Sequence, residues 1–314
     1  MNNHQSSSWS DPTQHYSKKT ALLLVNPHAR KVHQKLSEAL DYLQKLGLNL
    51  IQKSAENIHE YTHLIKQYQD QVELVIIGGG DGTLNAAVDG LVETQLPLGI
   101  LPLGTANDLA RTLKIPVTLP EACRVIAAGY YQPIDLGWVN GKHFFNVASL
   151  GLSVDITDQL TKETKRRWGI FAYGITAIRV IFSTRPFHAE IQFEGGAKRV
   201  KTLQIAIGNG QYYGGGMKIA HDATIDDQRL DLCSLEIQQW WQIFTVLIAL
   251  WTGRHGKSVG SRTLSGSEFR IYTRKPYSIN TDGDLTVTTP AHFRVIPCAL
   301  NVIIPTPINL KATS

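Results

Sequence analysis

The sequence predicts α/β plus all-β: a parallel α/β domain first and a β-rich domain after it. Length is one reason, since 314 residues, at about 100 to 200 residues per domain, favour two domains over one. A change of grammar near residue 130 is another: apolar runs alternate with helical patterns before it, and antiparallel strand signals dominate after it. Composition is the third. With 43% hydrophobic and 18% charged residues the chain can bury a full core, which excludes wholesale disorder.

In the first part, 21–25, 48–52, 72–77 and 98–101 read as strands, and 32–46, 58–68, 84–92 and 107–113 as the helices between them. Such alternation makes βαβ units, with helices on both faces of a parallel sheet. From residue 132 onward, runs at 134–139 and 143–148 flank Asn140-Gly141, a strong hairpin signal, and 189–193 alternates before a turn at Gly195-Gly196. Runs at 203–207, 230–235, 269–272, 285–287 and 293–304 extend the β-rich part, with helical candidates at 168–182 and 240–251. The expected division is a tail at 1–19, an α/β domain at 20–131, a β-rich domain at 132–305, and a second tail at 306–314 free to return to the first domain.

Lys plus Arg number 31 and Asp plus Glu 26, a net +5 with pI near 9.0. That balance suits nucleotides or acidic lipid surfaces and is too diffuse to argue for nucleic acid. Cys123, Cys233 and Cys298 have no paired spacing, so reduced thiols and a cytoplasmic setting are expected. Residues 1–19 hold no apolar core of a signal peptide, and the apolar stretch 243–251, interrupted by Thr245, falls short of the roughly 20 residues that span a bilayer.

The run at 72–77 leads directly into Gly78-Gly79-Gly80-Asp81-Gly82-Thr83, with an amphipathic helix after it. Glycines let the backbone approach an anion, and free amides at a helix start favour phosphate oxygens. A carboxylate would repel bare phosphate, so Asp81 suits a magnesium ligand, direct or through water, or a partner of a sugar hydroxyl. A turn that merely closes a strand-helix corner needs fewer glycines. One βα unit later, Leu103-Gly104-Thr105-Ala106-Asn107-Asp108 repeats the arrangement, with Asn107 or Asp108 also readable as a helix N-cap. Ligands of open parallel sheets bind outside the carboxyl ends of the strands, where both loops can converge. Asn26-Pro27-His28-Ala29-Arg30 makes a third such loop.

These motifs, in this order and spacing, resemble the catalytic family of diacylglycerol kinases, especially its soluble bacterial lipid kinases. The likeness continues through Asn209 to Met217, Ala223 to Asp231 and Thr281-Asp282-Gly283-Asp284. The resemblance implies a three-layer α/β nucleotide-binding domain and a β-sandwich, with ATP in the cleft between them. It places nucleotide contacts on Asn26, Pro27, His28, Ala29 and Arg30, on Ser54, on Gly79, Gly80, Asp81, Gly82, Thr83, Leu84 and Asn85, and on Thr105. Asn107 adds a short polar group at its helix start. The family's structural magnesium site falls on Asp227, with backbone carbonyls of Thr224 and Arg229, and its late acidic signature on Asp282 and Asp284. Gln228 stands where the family usually has Gly, His221 where Pro is common, and Asp284 where Glu is usual.

Phosphoryl transfer asks for positioning, charge neutralisation and a carboxylate to orient or deprotonate the attacking hydroxyl. Asp81, Asp282 and Asp284 are the catalytic candidates, although Asp282-Gly283 also reads as an ordinary hairpin turn. The expected partners are ATP, Mg2+ and a lipid, most simply diacylglycerol, met by peripheral contact at the inner face of a membrane; a homodimer is left open. Trp240 to Lys257 and Lys165-Arg166-Arg167-Trp168 pair bulky apolar groups with positive charge, as interfacial segments do, and read equally as helices packed on the β-domain. Two other functions use the same loops: a kinase of a soluble acceptor such as NAD, and a silent lipid- or nucleotide-binding protein.

Overall fold

A computed structural model describes residues 19–25, 32–55, 57–152, 154, 185–210, 212–213, 217–218, 223–236 and 261–306. The helical candidates 168–182 and 240–251, both basic-aromatic segments, the loop Asn26 to Arg30 and nearly all of both tails lie outside them.

The α/β part runs β1 (Thr20–Val25), α1 (Val32–Lys45), β2 (Asn49–Ser54), α2 (Ile58–Tyr68), β3 (Leu74–Gly79), α3 (Asp81–Thr94), β4 (Leu98–Pro102), α4 (Asp108–Thr112), α5 (Leu119–Ala128). β1 pairs in parallel with β2 and β3, and β3 with β4, giving the order β2-β1-β3-β4. Almost every residue of β1, β3 and β4 is buried, as continuous apolar strands require when both faces are covered. Each helix buries one stripe: Leu36, Ala39 and Leu43 in α1, Leu84, Ala87, Val88 and Leu91 in α3. The sequence reading omitted α5, although Pro120 at its start, left-handed Gly129 at its end and the buried stripe Leu119, Ala122, Cys123, Ile126 all mark it.

The β part holds β5 (Tyr131–Val139), β6 (Lys142–Phe144), β7 (Val147–Gly151), β8 (Phe187–Phe193), β9 (Gly196–Thr202), β10 (Gln204–Gly208), the short pair β11 (Tyr212–Tyr213) and β12 (Met217–Lys218), then β13 (Leu230–Leu235), β14 (Ser261–Gly266), β15 (Glu268–Thr273), β16 (Ser278–Thr281), β17 (Asp284–Thr288) and β18 (Ala291–Ile303). One sheet has the order β14-β13-β10-β7-β16-β17 and packs on a layer containing β5, β6, β18, β15, β8 and β9, so the second domain is a β-sandwich. Asn140 and Gly141, both at positive φ, close the expected hairpin. At the next hairpin Phe193 pairs with Gly196, so the turn is Glu194-Gly195, one residue earlier than expected. The polar strands β9 and β14 escaped the reading because they lie at sheet ends and carry no apolar alternation.

β18 belongs to both parts. It pairs in parallel with β4 at Val302 and antiparallel with β5 along its length. Leu300 and Val302 pack in the α/β core with Ile134 and Leu136, whereas Phe293 and Val295 pack in the sandwich core with Val139. The register shifts between Ile296 and Leu300, where Cys298 has φ 49 and donates its N–H to Asp135 Oδ1 at 2.8 Å. Such a bulge turns one strand from one core to the other.

Candidate active site

Because β1 to β4 run parallel, their carboxyl ends share one edge: Val25 stands opposite Ser54 and Gly78, and Gly79 opposite Pro102. Ser54 is exposed at that edge. The two glycine loops meet there by backbone contact. A Cβ on Gly104 would lie 2.4 Å from Gly80 Cα, and Leu103 donates its N–H to Gly79 O at 3.0 Å. Neither glycine has a positive φ, so closeness of approach, and no backbone conformation reserved to glycine, excludes side chains here.

α3 starts at Asp81, three residues earlier than the apolar pattern implies, so Asp81 sits in its first turn. Its Oδ1 accepts the Leu109 N–H of α4 at 3.1 Å, joining the two helix starts. Asn107 holds the N-cap position of α4 at φ 50, but its side chain makes no cap. It pins its own loop, accepting from Gly104 N at 2.9 Å and donating to Gly104 O at 3.0 Å. Thr105 and Gly82 are exposed and Thr83 half-buried, while Leu84 is a core residue that offers a ligand only its backbone.

Asp282 and Gly283, at φ 48 and 107, form a two-residue turn between β16 and β17. The hairpin reading of Asp-Gly therefore holds, yet the turn does more. Asp282 accepts the N–H groups of Phe145 at 2.6 Å and of Asn146 and Val147 at 3.0 Å. These amides span the break between β6 and the first residue of β7, which splits the strand expected over 143–148. Burial pushes the Asp282 carboxyl up to about 6 against the pull of the three amides, and the charge of Asp81 adds to the rise. Asp81 and Asp282, from different domains, are thus near enough for the charge of one to act on the other. Asn85, one turn along α3, donates to Thr281 O at 3.4 Å and also binds the Asp284 side chain. Partial burial raises the Asp284 carboxyl, with the Asn85 contact opposing. The structure brings Asp81, Asn85, Asp282 and Asp284 together, two from each domain. Asn85 Oδ1 is buried with no hydrogen-bond partner among the described residues.

Thr224, Asp227 and Arg229 share one loop, but as a self-contained unit. Asp227 accepts the N–H groups of Thr224 at 3.0 Å and of Arg229 at 3.3 Å, and its Oδ2 lies 3.2 Å from Arg229 Nε. Burial raises the Asp227 carboxyl, opposed by Thr224 and Arg229. Among the described residues, no group of three His, Cys, Asp or Glu is arranged to hold a metal. Gln228 has φ 58 and gives its N–H to Asp135 Oδ2 at 2.6 Å. The sequence reading missed Asp135, 2% exposed, which ties this loop to the β18 bulge. Its signal was a lone carboxylate in the apolar run Ile134-Asp135-Leu136.

Comparison with known proteins agrees with this architecture. Residues 20–139 match the diacylglycerol kinase catalytic domain, and residues 146–304 the YegS C-terminal NAD kinase beta sandwich-like domain. The chain is 27% identical over 293 residues to the diacylglycerol kinase of Bacillus subtilis (strain 168), covering 91% of this chain and 97% of that one. It is 31% identical over 294 residues to the probable lipid kinase YegS-like of Klebsiella pneumoniae (strain 342), covering 91% and 96%. A crystal structure from Bacillus anthracis str. Sterne, assigned as a diacylglycerol kinase, superposes with TM-score 0.79 at 25% identity, covering 92% and 97%.

Proposed function

Since the chain belongs to the diacylglycerol-kinase catalytic family, of its bacterial YegS-like kind, we propose that it is an ATP- and Mg2+-dependent lipid kinase. Its first-choice acceptor is the hydroxyl of diacylglycerol, giving phosphatidic acid. One observation carries the reading: Asn85, on the helix that begins at the glycine loop, contacts Thr281 and Asp284 of the other domain. Phosphoryl transfer needs a phosphate-holding element and an acceptor-side carboxylate held face to face, and these residues supply both.

The donor side fits a nucleotide triphosphate. A Cβ on Gly82 would meet nothing within 4 Å, so space is open at the start of α3, where free amides and the helix dipole favour phosphate oxygens. Gly79, Gly80, Thr83, Thr105, Ser54 and the Asn26 to Arg30 loop would surround it. Magnesium suits hard oxygen donors, and Asp81 with the unpartnered Asn85 Oδ1 is the set that fits; a bound ion there would neutralise charge on phosphate oxygens. The Asp227 loop fits an ion less well, because Asp227 already neutralises the Arg229 guanidinium, and we derive no step through a metal there.

On the acceptor side the two carboxylates divide the work. Asp282, committed to three amides, fixes the turn. Asp284 is exposed and bound by none of those three amides, so it is the carboxylate that can reach a substrate hydroxyl and act as its base. In the proposed reaction the substrate hydroxyl gives its proton to Asp284 as its oxygen attacks the γ-phosphorus and the bond to the β-phosphate oxygen breaks. Among the described residues no helix is long and apolar enough to cross a membrane, in keeping with peripheral contact at the inner face. The test is transfer of labelled γ-phosphate from ATP to a panel of mixed-micelle lipids and to NAD, with Asp81→Ala and Asp284→Ala beside the unaltered chain. A labelled lipid lost in both variants supports the reading; label on NAD would move the chain to soluble acceptors, and ATP binding with no label anywhere would leave a binding protein.

A further inference from the structure

About two turns beyond Asp81, α3 touches the second domain again. His143 Nδ1 lies 2.8 Å from Asp89 Oδ1, and Lys142 Nζ 3.6 Å from Asp89 Oδ2. The His143 side chain is 18% exposed and that of Asp89 33%, so this is not a fully solvated pair of the kind that contributes little. Burial raises the Asp89 carboxyl, yet His143 and Lys142 outweigh it and hold the group below the usual carboxylate range. His143 lies in β6, and the residues that follow β6 donate the three amides to Asp282. The contacts therefore close a circuit: from Asp81 along α3 to Asp89, across to His143, through Phe145 to Val147, to the Asp282 turn, and back to α3 through Thr281 and Asn85.

We propose that Asp89 and His143 form a positioning pair that holds the acceptor-side turn against the start of α3, and so sets the rate of transfer without touching either substrate. The inference rests on the kinase reading given above. A pair with this role acts on turnover and on the order of the 145–147 amides, whereas a pair that merely adds stability acts on neither.

The test compares Asp89→Ala, His143→Ala, the double variant, and His143→Asn, whose amide can donate from nearly the position of Nδ1. The measurements are kcat, KM for ATP, and hydrogen exchange of the Phe145, Asn146 and Val147 amides. Each alanine variant is expected to lose about tenfold in kcat with KM for ATP within about twofold, and the double variant to lose no more than either. His143→Asn should return to within about threefold of the unaltered chain. Exchange at 145–147 should quicken about tenfold in the alanine variants while the β10 amides of Ile205 to Ile207 stay protected. Unchanged exchange at 145–147, kcat losses that multiply in the double variant, or protection lost in β10 as well would each overturn the proposal. If the unaltered chain phosphorylates no acceptor, the kinase reading fails by itself and the exchange measurement still decides whether the pair holds the turn.

Discussion

On the α/β side of the site, Gly80 and Gly104 press backbone against backbone, and neither has a positive φ. On the β side, Gly283 has open space around it and φ 107. The first pair is there because nothing larger fits, the second because few residues adopt that conformation. The two sides also treat their aspartates differently. Asp81 gives one oxygen to a single amide, whereas Asp282 is bound by three. A carboxylate held by one amide keeps capacity for a ligand; one held by three has become part of the scaffold, which in the proposed reaction leaves the substrate hydroxyl to Asp284.

The sharpest break of that comparison separates the two carboxylates of the turn. Asp284→Asn should lower kcat by about 10²–10⁴, the usual worth of a positioned base, and leave stability within about 0.5 kcal/mol, as at an exposed site. Asp282→Asn should do the reverse in kind. It replaces an acceptor of three N–H groups by a side chain that itself donates, and leaving such groups unmatched costs about 1–3 kcal/mol. Denaturant unfolding beside turnover reads both; an Asp282→Asn chain as stable as the original would show that the three amides do not hold the turn.

The Asp282 comparison also has a pH signature. Its carboxyl is raised from 3.8 to about 6, so the fold favours the protonated form. Linkage then gives the sign: the burden of the buried charge is absent below the unfolded value near 3.8, grows as pH rises, and is complete above about 6. The stability advantage of the original chain over Asp282→Asn should therefore shrink between about pH 4 and pH 6 and be flat from pH 7 to 8. Thermal midpoints across that range measure it, and an advantage that widens with pH would reverse the assignment.

Much of this site was legible in the sequence, and the reasons differ by residue. The glycine loops were readable because anion approach and tight contact impose the same residue, glycine, next to a strand end. The Asp282 turn was readable as a hairpin from Asp-Gly alone. What stayed hidden depends on partners far away in the chain: the amides of Phe145 to Val147 carry no sequence mark, and Asp89 and His143 look like ordinary surface residues until α3 is laid on β6. α5 was legible in principle, from Pro120 at its start, Gly129 after its end and an apolar stripe between them, but it follows no glycine loop and carries no site residue. The return of β18 to the first sheet was illegible, since an apolar strand does not name its neighbours.

The two glycine types can be told apart by reversing a substitution series. At Gly104 any Cβ strikes Gly80 Cα at 2.4 Å, so Ala should cost about 1–3 kcal/mol, as overpacking does, and Asn more than Ala. At Gly283 a Cβ meets nothing within 4 Å, so the cost is conformational, about 1–2 kcal/mol for Ala, and Asn, which tolerates positive φ, should cost less than Ala. The same order of Ala and Asn at both positions would mean that one of the two mechanisms has been misassigned.

Gln228 gives the smallest effect and the finest distinction. It holds φ 58, a conformation that favours glycine, in the loop that Asp135 anchors through the Gln228 N–H. Gln228→Gly removes the strain of a left-handed non-glycine residue, about 1–2 kcal/mol, and returns part of it through the freer unfolded chain, for a net gain of about 0.5–1 kcal/mol. The N–H bond to Asp135 is a backbone bond and survives the change, so activity should stay as it was. A gain in stability with unchanged turnover would place this loop with the Asp282 turn, as scaffold. A gain in turnover instead would mean that the loop's conformation reaches the site, and that its strained residue was holding the enzyme below its full rate.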